Sequence, residues 1–465
     1  MAGERRRDNV MTEGAVDHYI KQYTEAKGWL PGGRTPWISA LREEALDALT
    51  STGFPGKKVE EWKYTNIAPL TKRPFALTRN GDQGVEIKGL RPWSFPDLPC
   101  HRAVFVNGHF SSNLSHLDNL PAGVEVTTLA RILQERPEVV EKVLYRSGYD
   151  KSKAFMALNS ALMTDGAVII LDDNVSAPPL HLLFVTDSGE ERATFIRNII
   201  IGGRGSEGTI IESYAGPEGA SYFTSTVTDL VAERNARIEH LKVQQESSHA
   251  YHIGALKADQ HRDSTFVSHS ISLGAALART DINSALNEEG ARCFLNGLYL
   301  ARDSQHVDHH TRVDHVKPRC RSEELYKGVI GGRARAVFNG KIVVRENAVK
   351  TDACQSNRNL LLSKEGHVDT KPEFEIYADD VQCTHGATVG QLEEEALFYL
   401  RSRGIDEERA RHILVCAFVD DILAHIKPEA LRTRIGEFVT ARLPGAATNE
   451  ARDNEKSRQH GNDRA

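Results

Sequence analysis

Apolar residues near the start of the chain recur at helical spacing. Ala15, Tyr19, Tyr23 and Ala26 follow one another at three or four positions, as one face of an amphipathic helix requires. All four tryptophans also lie within the first 93 residues, which separates this part in composition from the rest. We predict an N-terminal helical region over residues 1–95, with a flexible basic start, and a mixed connecting region over 96–165.

After residue 166 the pattern changes to short β-branched runs separated by turn residues. These runs cover residues 167–171, 182–185, 195–201, 209–211, 222–224 and 236–241. Their regular spacing, with Gly and Asn corners and few two-residue hairpin turns, favours a solenoid over an antiparallel sandwich. We therefore predict a mainly β fold with a parallel β-helix core over 166–386. Coils of this kind bury apolar faces only against their neighbours, so we expect helical flanks to cap both ends.

Helical spacing returns from residue 387. Leu392, Ala396 and Leu400 share one face, Gly404 can end that helix in a left-handed cap, and Asp406 can open the next one. We predict a C-terminal helical domain over 387–442. The apolar stripe expected on its second helix consists of Ala410, Ile413, Leu414, Ala417, Phe418 and Ile422.

The end of the chain, residues 443–465, is almost wholly polar, and we predict a disordered tail there. The 465 residues are 40% hydrophobic and 26% charged, which is typical of a folded protein. The net charge of -6 supplies no positive potential to attract nucleic acid along the chain as a whole. No apolar run is long enough to span a membrane, and no secretory signal is expected. Six scattered cysteines without a C-x-x-C pair indicate a reduced, cytoplasmic compartment.

The segment 203–208 matches the dinucleotide pattern G-x-G-x-x-G. A true fingerprint leads into a helix whose N-terminus receives the pyrophosphate, whereas residues 209–214 read as another strand. We interpret the glycines as a solenoid corner. Since the chain also lacks a G-x-x-x-x-G-K-[ST] motif, it should hold no nucleotide site, and any ATP chemistry belongs to a partner.

The densest set of potential metal ligands lies between residues 306 and 315. His306, Asp308 and His310 would share one face of a strand, and His315 follows. His-x-Asp with a distant histidine, such as His367, is the pattern of the facial triad in non-haem Fe(II) oxygenases. The other interpretation is a polar ladder, hydrogen-bonded across rungs or placed at a subunit contact.

A second candidate site is the pair Cys383 and His385, on one face of a short extended segment. A nearby imidazole can stabilise a thiolate, the form that binds soft metals. Two residues cannot hold a cluster alone. Either a second chain completes the ligand set, or the pair is structural.

Three long motifs carry a resemblance to a known family. They cover residues 350–363 (KTDACQSNRNLLLS), 379–390 (DDVQCTHGATVG) and 398–405 (FYLRSRGI). With the pattern from His306 to His315, Tyr326-Lys327 and residues 338–342, the chain resembles the SufB/SufD family of iron–sulfur cluster assembly proteins over roughly residues 290–425. The opening motifs at 53–55 and 60–65, and Gly386 where SufB typically has Glu, resemble the SufD branch.

The resemblance implies a right-handed parallel β-helix between helical termini. It also implies a non-catalytic scaffold subunit in a cytoplasmic complex with a SufB-like paralogue and two copies of a SufC-like ABC ATPase. The isolated chain could form a homodimer. No cofactor would be bound permanently, and an iron–sulfur cluster would be present transiently in the complex.

The resemblance also assigns residues. His385 would face a SufB cysteine across the interface and serve as a transient metal ligand shared with that partner, with Cys383 adjacent and less certain in role. Residues 392–426 would dock the ATPase, which makes Glu394 and Arg401 candidate contacts. The remaining partner-interface candidates are His306, Asp308, His310 and His315.

Overall fold

The structure is a computed structural model that describes residues 2–79, 81, 87–146, 153–187 and 191–443. The predicted tail, from residue 444 on, lies outside the described residues. Nine α-helices are present in the described part. They are α1 Ala2–Ala26, α2 Pro36–Thr52, α3 Ala68–Thr71, α4 Leu129–Glu135, α5 Glu138–Arg146, α6 Ala154–Leu162, α7 Glu394–Ser402, α8 Glu407–Leu423 and α9 Glu429–Thr440.

Strands fill most of the chain between the two helical ends. The strands that precede or open the core are β1 Ala76–Leu77, β2 His101–Val106, β3 His109–His116, β4 Val124–Thr128, β5 Ala167–Leu171, β6 Leu180–Val185, β7 Arg192–Gly202, β8 Glu207–Ala215, β9 Tyr222–Ala232 and β10 Arg237–Gln245. The remaining strands are β11 Tyr251–Gln260, β12 Thr265–Ser272, β13 Leu277–Leu286, β14 Arg292–Ala301, β15 His306–His315, β16 Arg321–Ile330, β17 Arg335–Val344, β18 Asp352–Leu361, β19 His367–Ile376 and β20 Gln382–Gly390.

The strands form two ten-stranded sheets. From β5 onward, consecutive strands alternate between the sheets, and each strand pairs in parallel with the one two places further along. This is the connectivity of a β-solenoid with two strands per coil, so the predicted fold class is confirmed. Strands β2, β3 and β4, in the region predicted to be a mixed connection, belong to the same two sheets.

Antiparallel pairs close the first end of the solenoid, where β3 pairs with β2 and β4 with β5. The other end is formed by β19 and β20, each of which has a strand neighbour on one side only within the described residues. The G-x-G-x-x-G segment is the corner between β7 and β8, with Gly205 at φ +66°. A strand follows it, as the sequence predicts.

Helices cover the outer faces of the two sheets. Residues of α1, α2 and α6 share one apolar cluster with Phe195, Phe223 and Tyr251 of one sheet. Residues of α8 and α9 share another with side chains from β8 to β18 of the other sheet, among them Leu241 and Leu298. The expectation that the helices cap both ends was wrong, because their apolar stripes match the flat faces of the sheets.

The C-terminal helices differ from the prediction in two respects. Strand β20 continues to Gly390, so helix α7 begins at Glu394 and not near residue 387. The stripe expected on α8 is correct at Ala410 and Ile422, but the other buried side chains are Val415, Val419 and Leu423. The predicted stripe residue Ile413 is 38% exposed. The two caps are confirmed, since Gly404 has φ +84° and the Asp406 side chain accepts from the Arg409 N–H.

Candidate functional site

Cys383 and His385 lie on β20, the last strand of its sheet. Their register partners on β18 are Ala353 and Gln355, both of which are buried inside the solenoid. Because alternate residues of a strand share a face, the thiol and the imidazole both lie on the interior side of this final coil. The sequence prediction that they share one face therefore agrees with the structure.

The two side chains have different surroundings. Cys383 is half-buried and packs against the solenoid core, whereas His385 is exposed and its ring lies 4.8 Å from that of Phe374. Burial, assisted by the Asp352 carboxylate, raises the pKa of the Cys383 thiol. The thiolate that the sequence suggested is therefore disfavoured here, and His385 is the more available ligand.

A buried polar group lies directly behind His385. Gln355 donates through Nε2 to Oε2 of Glu324 at 2.7 Å, and Thr311 donates to the same oxygen at 2.9 Å. Burial raises the pKa of Glu324 to about 7, even though both hydrogen bonds act to lower it. Sequence reasoning missed this group, since nothing in a single strand shows that residues on three strands meet across the interior.

Asp308 of the His306–His315 segment is held by the N-terminal part of the same chain. Thr65 donates to Oδ2 of Asp308 at 2.6 Å, and the Arg279 guanidinium lies 2.8 Å from the same oxygen. Thr65 Oγ1 also lies 2.8 Å from Nε2 of His306. The Arg279 guanidinium in turn lies 3.9 Å from the centre of the Trp62 ring. These contacts fasten the segment 60–65 to the outer face of the sheet.

The charges in this cluster are already compensated. Burial alone would raise the pKa of Asp308, but Arg279 and the hydrogen bonds from His310 and Thr65 hold it well below its ordinary value. Burial lowers the pKa of His306, and the Asp308 carboxylate offsets only part of that change. Asp308 is therefore an ionised carboxylate within a buried ion pair.

The predicted facial triad is not formed. His367 lies on β19, two strands away from His306 in the same sheet, and it is 3.3 Å from Asp369. No three His, Cys, Asp or Glu side chains within the described residues are grouped so as to hold a metal ion. The ladder interpretation agrees better with the structure, because Thr65 donates to one oxygen of Asp308 and the His310 ring lies 3.0 Å from the other.

Two of the residues suggested for a partner contact are inaccessible. His315 points into the solenoid and pairs with the Ser322 hydroxyl at 2.8 Å, and burial lowers its pKa to about 4. Asp308 lies beneath Thr65 and is 1% exposed. The structure therefore does not support a partner contact for either of them. His310, with its ring 3.0 Å from Asp308, is partly exposed and lines a groove beside Glu61.

The C-terminal helices expose large apolar side chains as well as charged ones. Phe398 is 75% exposed and Tyr399 is 58% exposed on α7, close in space to α8 with its exposed Ile413. Glu394 and Arg401 are exposed on the same helix, and Arg401 lies 3.4 Å from Glu407. Sequence reasoning missed the apolar part of this surface, because it placed Ile413 in the core.

Family models match nearly the whole chain. The SufBD protein N-terminal region matches residues 13–179, and the SufBD core domain of SUF-system FeS cluster assembly matches residues 184–418. The chain belongs to the SufBD family. It is a SufD-like member of this iron–sulfur cluster assembly family.

Individual relatives agree with this assignment. The iron–sulfur cluster assembly protein SufD of Escherichia coli is 32% identical over 413 residues, which cover 88% of this chain and 94% of the relative. A SufBD family protein of Synechocystis is 32% identical over 411 residues, 86% and 90% of the two chains. SufD of Bacillus subtilis is 26% identical over 451 residues, 93% and 99% of the two chains. None of the helices in the described part combines the length and hydropathy needed to cross a bilayer.

Proposed function

We propose that this SufBD family member is a non-catalytic, SufD-like subunit of a cytoplasmic SUF complex. It pairs with a SufB-like paralogue and a SufC-like ABC ATPase, and the complex builds and transfers nascent iron–sulfur clusters. The observation that carries the proposal is the last coil, which no other described segment caps and whose edge strand carries the exposed imidazole of His385.

The free end of the solenoid favours a partner that is itself a solenoid. Among the described residues, β19 and β20 leave unpaired backbone groups at the edges of two long sheets, and such edges are usually covered in native proteins. Ile376 is 42% exposed and Val389 is 46% exposed on these strands, and Tyr377 just beyond β19 is 58% exposed. A paralogue with the same coil geometry could continue both sheets at once.

The proposed role of His385 is to supply a neutral imidazole to a cluster that a partner cysteine also binds. Imidazole nitrogen is a suitable ligand for iron, and sharing the cluster between two chains keeps it transient. Cys383 is the weaker candidate, because its thiol is half-buried and its pKa is raised. The cluster is cargo in this proposal, and the chain itself keeps no cofactor and no nucleotide.

The apolar surface of Phe398, Tyr399 and Ile413 is the proposed docking site for the ATPase. Aromatic side chains surrounded by charged residues are the composition that specific interfaces favour. Glu394 and Arg401 would then act at the rim, where charges set recognition more than affinity. ATP hydrolysis belongs to the docked partner, and this chain receives the resulting motion.

The oxygenase hypothesis has no comparable support. Its carboxylate, Asp308, is already bound by Arg279, Thr65 and His310, and its distal histidine is two strands away. A homodimer of the isolated chain uses the same free edges as the proposed heterodimer. The two assemblies would therefore compete for one surface.

Co-expression of the full chain with its SufB-like and SufC-like partners tests the proposal. We expect one assembly that contains all three proteins and forms a cluster when iron and a sulfur source are supplied. The chain alone should neither consume oxygen with a cosubstrate nor retain stoichiometric iron. Separate elution of the three proteins at micromolar concentration would contradict the proposal, and oxygen consumption by the single chain would favour the oxygenase instead.

A further inference from the structure

We propose that Gln355 is a positioning residue for His385, and that Glu324 holds Gln355 in place. In this arrangement the side-chain oxygen of Gln355 accepts a hydrogen bond from one ring nitrogen of His385, which leaves the other nitrogen as a free lone pair facing the partner. The inference rests on the proposed ligand role of His385. It adds the residue that sets the orientation and tautomer of that ligand.

Register places the amide and the imidazole side by side. Gln355 on β18 is the direct Cα partner of His385 on β20, and neighbouring strands in a sheet are about 4.8 Å apart. Both side chains lie on the interior side of the sheet. Gln355 is 1% exposed, whereas His385 lies at the open end of the coil. In register, the imidazole is therefore the next side chain toward the open end of the coil.

The amide has one unused oxygen. Nε2 of Gln355 donates to Glu324, but Oε1 of Gln355 is buried and accepts no hydrogen bond from the described residues. A buried amide oxygen without a donor destabilises the folded state. The adjacent imidazole N–H is a donor in register with it. Rotation of the His385 side chain would satisfy this oxygen.

Glu324 and a glycine fix the amide. The Glu324 carboxylate oxygen that accepts from Gln355 also accepts from Thr311, so the amide nitrogen is held and its oxygen is directed away from Glu324. Gly340 lies on β17 of the other sheet, and a Cβ atom at this position would lie only 2.1 Å from Nε2 of Gln355. The absence of a side chain at position 340 thus makes the space that Gln355 occupies.

The chemical consequence concerns the ligand nitrogen. A metal ligand imidazole uses its lone pair on one nitrogen and donates from the other, and the partner of that donor sets the tautomer and the ring orientation. Gln355 can supply that partner from within this chain. His385 would then be ready to bind iron before the complex forms.

Nitrogen NMR on the full chain tests the inference without a cluster. With ¹⁵N-labelled histidine, and with His385→Gln to assign the signal, the ring tautomer of His385 can be read at a pH where the ring is neutral. We expect one tautomer to predominate in the wild type. In Gln355→Met the ratio of tautomers should move toward that of free imidazole by about three- to tenfold, the factor that one net hydrogen bond supplies.

Asn357→Leu is the matched control. It also replaces a buried amide of β18 by an apolar chain, but its register partner is Ala387 and not His385, so the tautomer ratio should stay unchanged. An unchanged ratio in Gln355→Met overturns the inference. If Gln355→Met fails to fold, the wild type alone still decides: a His385 tautomer ratio equal to that of free imidazole overturns the inference. Normal cluster assembly by His385→Ala would instead contradict the proposed ligand role of His385. It would not affect the NMR evidence for a hydrogen bond between Gln355 and His385.

Discussion

Individual side chains inside the solenoid carry ionisable groups that water would normally surround. Glu324 is the clearest case, because it is fully buried, it is bonded only on Oε2 in the described structure, and its pKa is raised to about 7. The folded protein therefore holds a proton on this carboxyl over a pH range in which the unfolded chain has lost it. The stability of the fold must then depend on pH through this residue.

We predict that Glu324→Gln removes this dependence. The folded pKa of about 7 lies above the ordinary value of 4.5, so wild-type stability falls as the pH rises through that window. The advantage of Glu324→Gln over wild type should therefore grow from pH 5 to pH 8, by up to about 3 kcal/mol. Urea unfolding of both proteins at the two pH values measures this. If the two proteins differ in free energy of unfolding by the same amount at pH 5 and at pH 8, Glu324 ionises normally.

The sequence showed which residues are chemically notable but not which of them meet. His306, Asp308 and His310 lie on one strand face as predicted. Thr65, more than two hundred residues earlier in the chain, donates a hydrogen bond to the Asp308 carboxylate. In the sequence, the segment 60–65 stands out only through its resemblance to a family. Its contact with Arg279 and Asp308 depends on where the N-terminal region crosses the sheet, and no local pattern reports that.

At the scale of elements, periodicity predicted strands and helices well and helix orientation poorly. The run 167–171 matches β5, and both C-terminal caps are correct. On α8, Ile413 and Val415 are both apolar, and several helix faces have similar hydrophobicity. Packing against the sheet buries Val415 and Val419 and leaves Ile413 exposed.

Charge reversal on this surface tests the docking proposal. Glu394→Lys combined with Arg401→Glu should weaken binding of the ATPase, because rim charges guide recognition. The melting temperature should change little, since exposed substitutions shift stability by about ±0.5 kcal/mol. Calorimetry at matched salt measures the affinity.

The exposed pair Lys21 and Glu25 on α1 provides the control. Its double reversal, Lys21→Glu with Glu25→Lys, changes the same number of charges away from the C-terminal helices and should leave ATPase binding intact. Equal affinity of the Glu394/Arg401 variant and the wild type would place the docking site elsewhere.

At the scale of the whole molecule, the two ends of the solenoid differ. Antiparallel strands close the first end and helices cover both outer faces, whereas the last coil has free edges in the part of the chain that the structure describes. The sequence predicted the solenoid from its spacing but assigned the helices to the ends. Spacing along the chain does not reveal on which side of a sheet a flanking helix packs.

The free edges give a prediction about assembly. Ile376→Lys combined with Val389→Lys places a charge on each edge strand, a change that opposes strand pairing. We expect the double variant to fold normally but to lose both association with the SufB-like paralogue and any homodimer, as measured by sedimentation. Val59→Lys, at a residue 40% exposed on the N-terminal segment, is the control and should assemble normally. Undiminished pairing of the edge variant would place the interface on another surface.

The most direct test of the central claim is cluster formation by the co-purified complex carrying His385→Ala. The account predicts an intact complex of unchanged mass that forms at least tenfold less cluster, measured by iron content and absorbance, because a ligand is lost while an exposed side chain contributes little to the fold. Thr384→Ala, the exposed neighbour on the opposite face, should behave as wild type. Cluster formation at the wild-type level in His385→Ala would contradict the account.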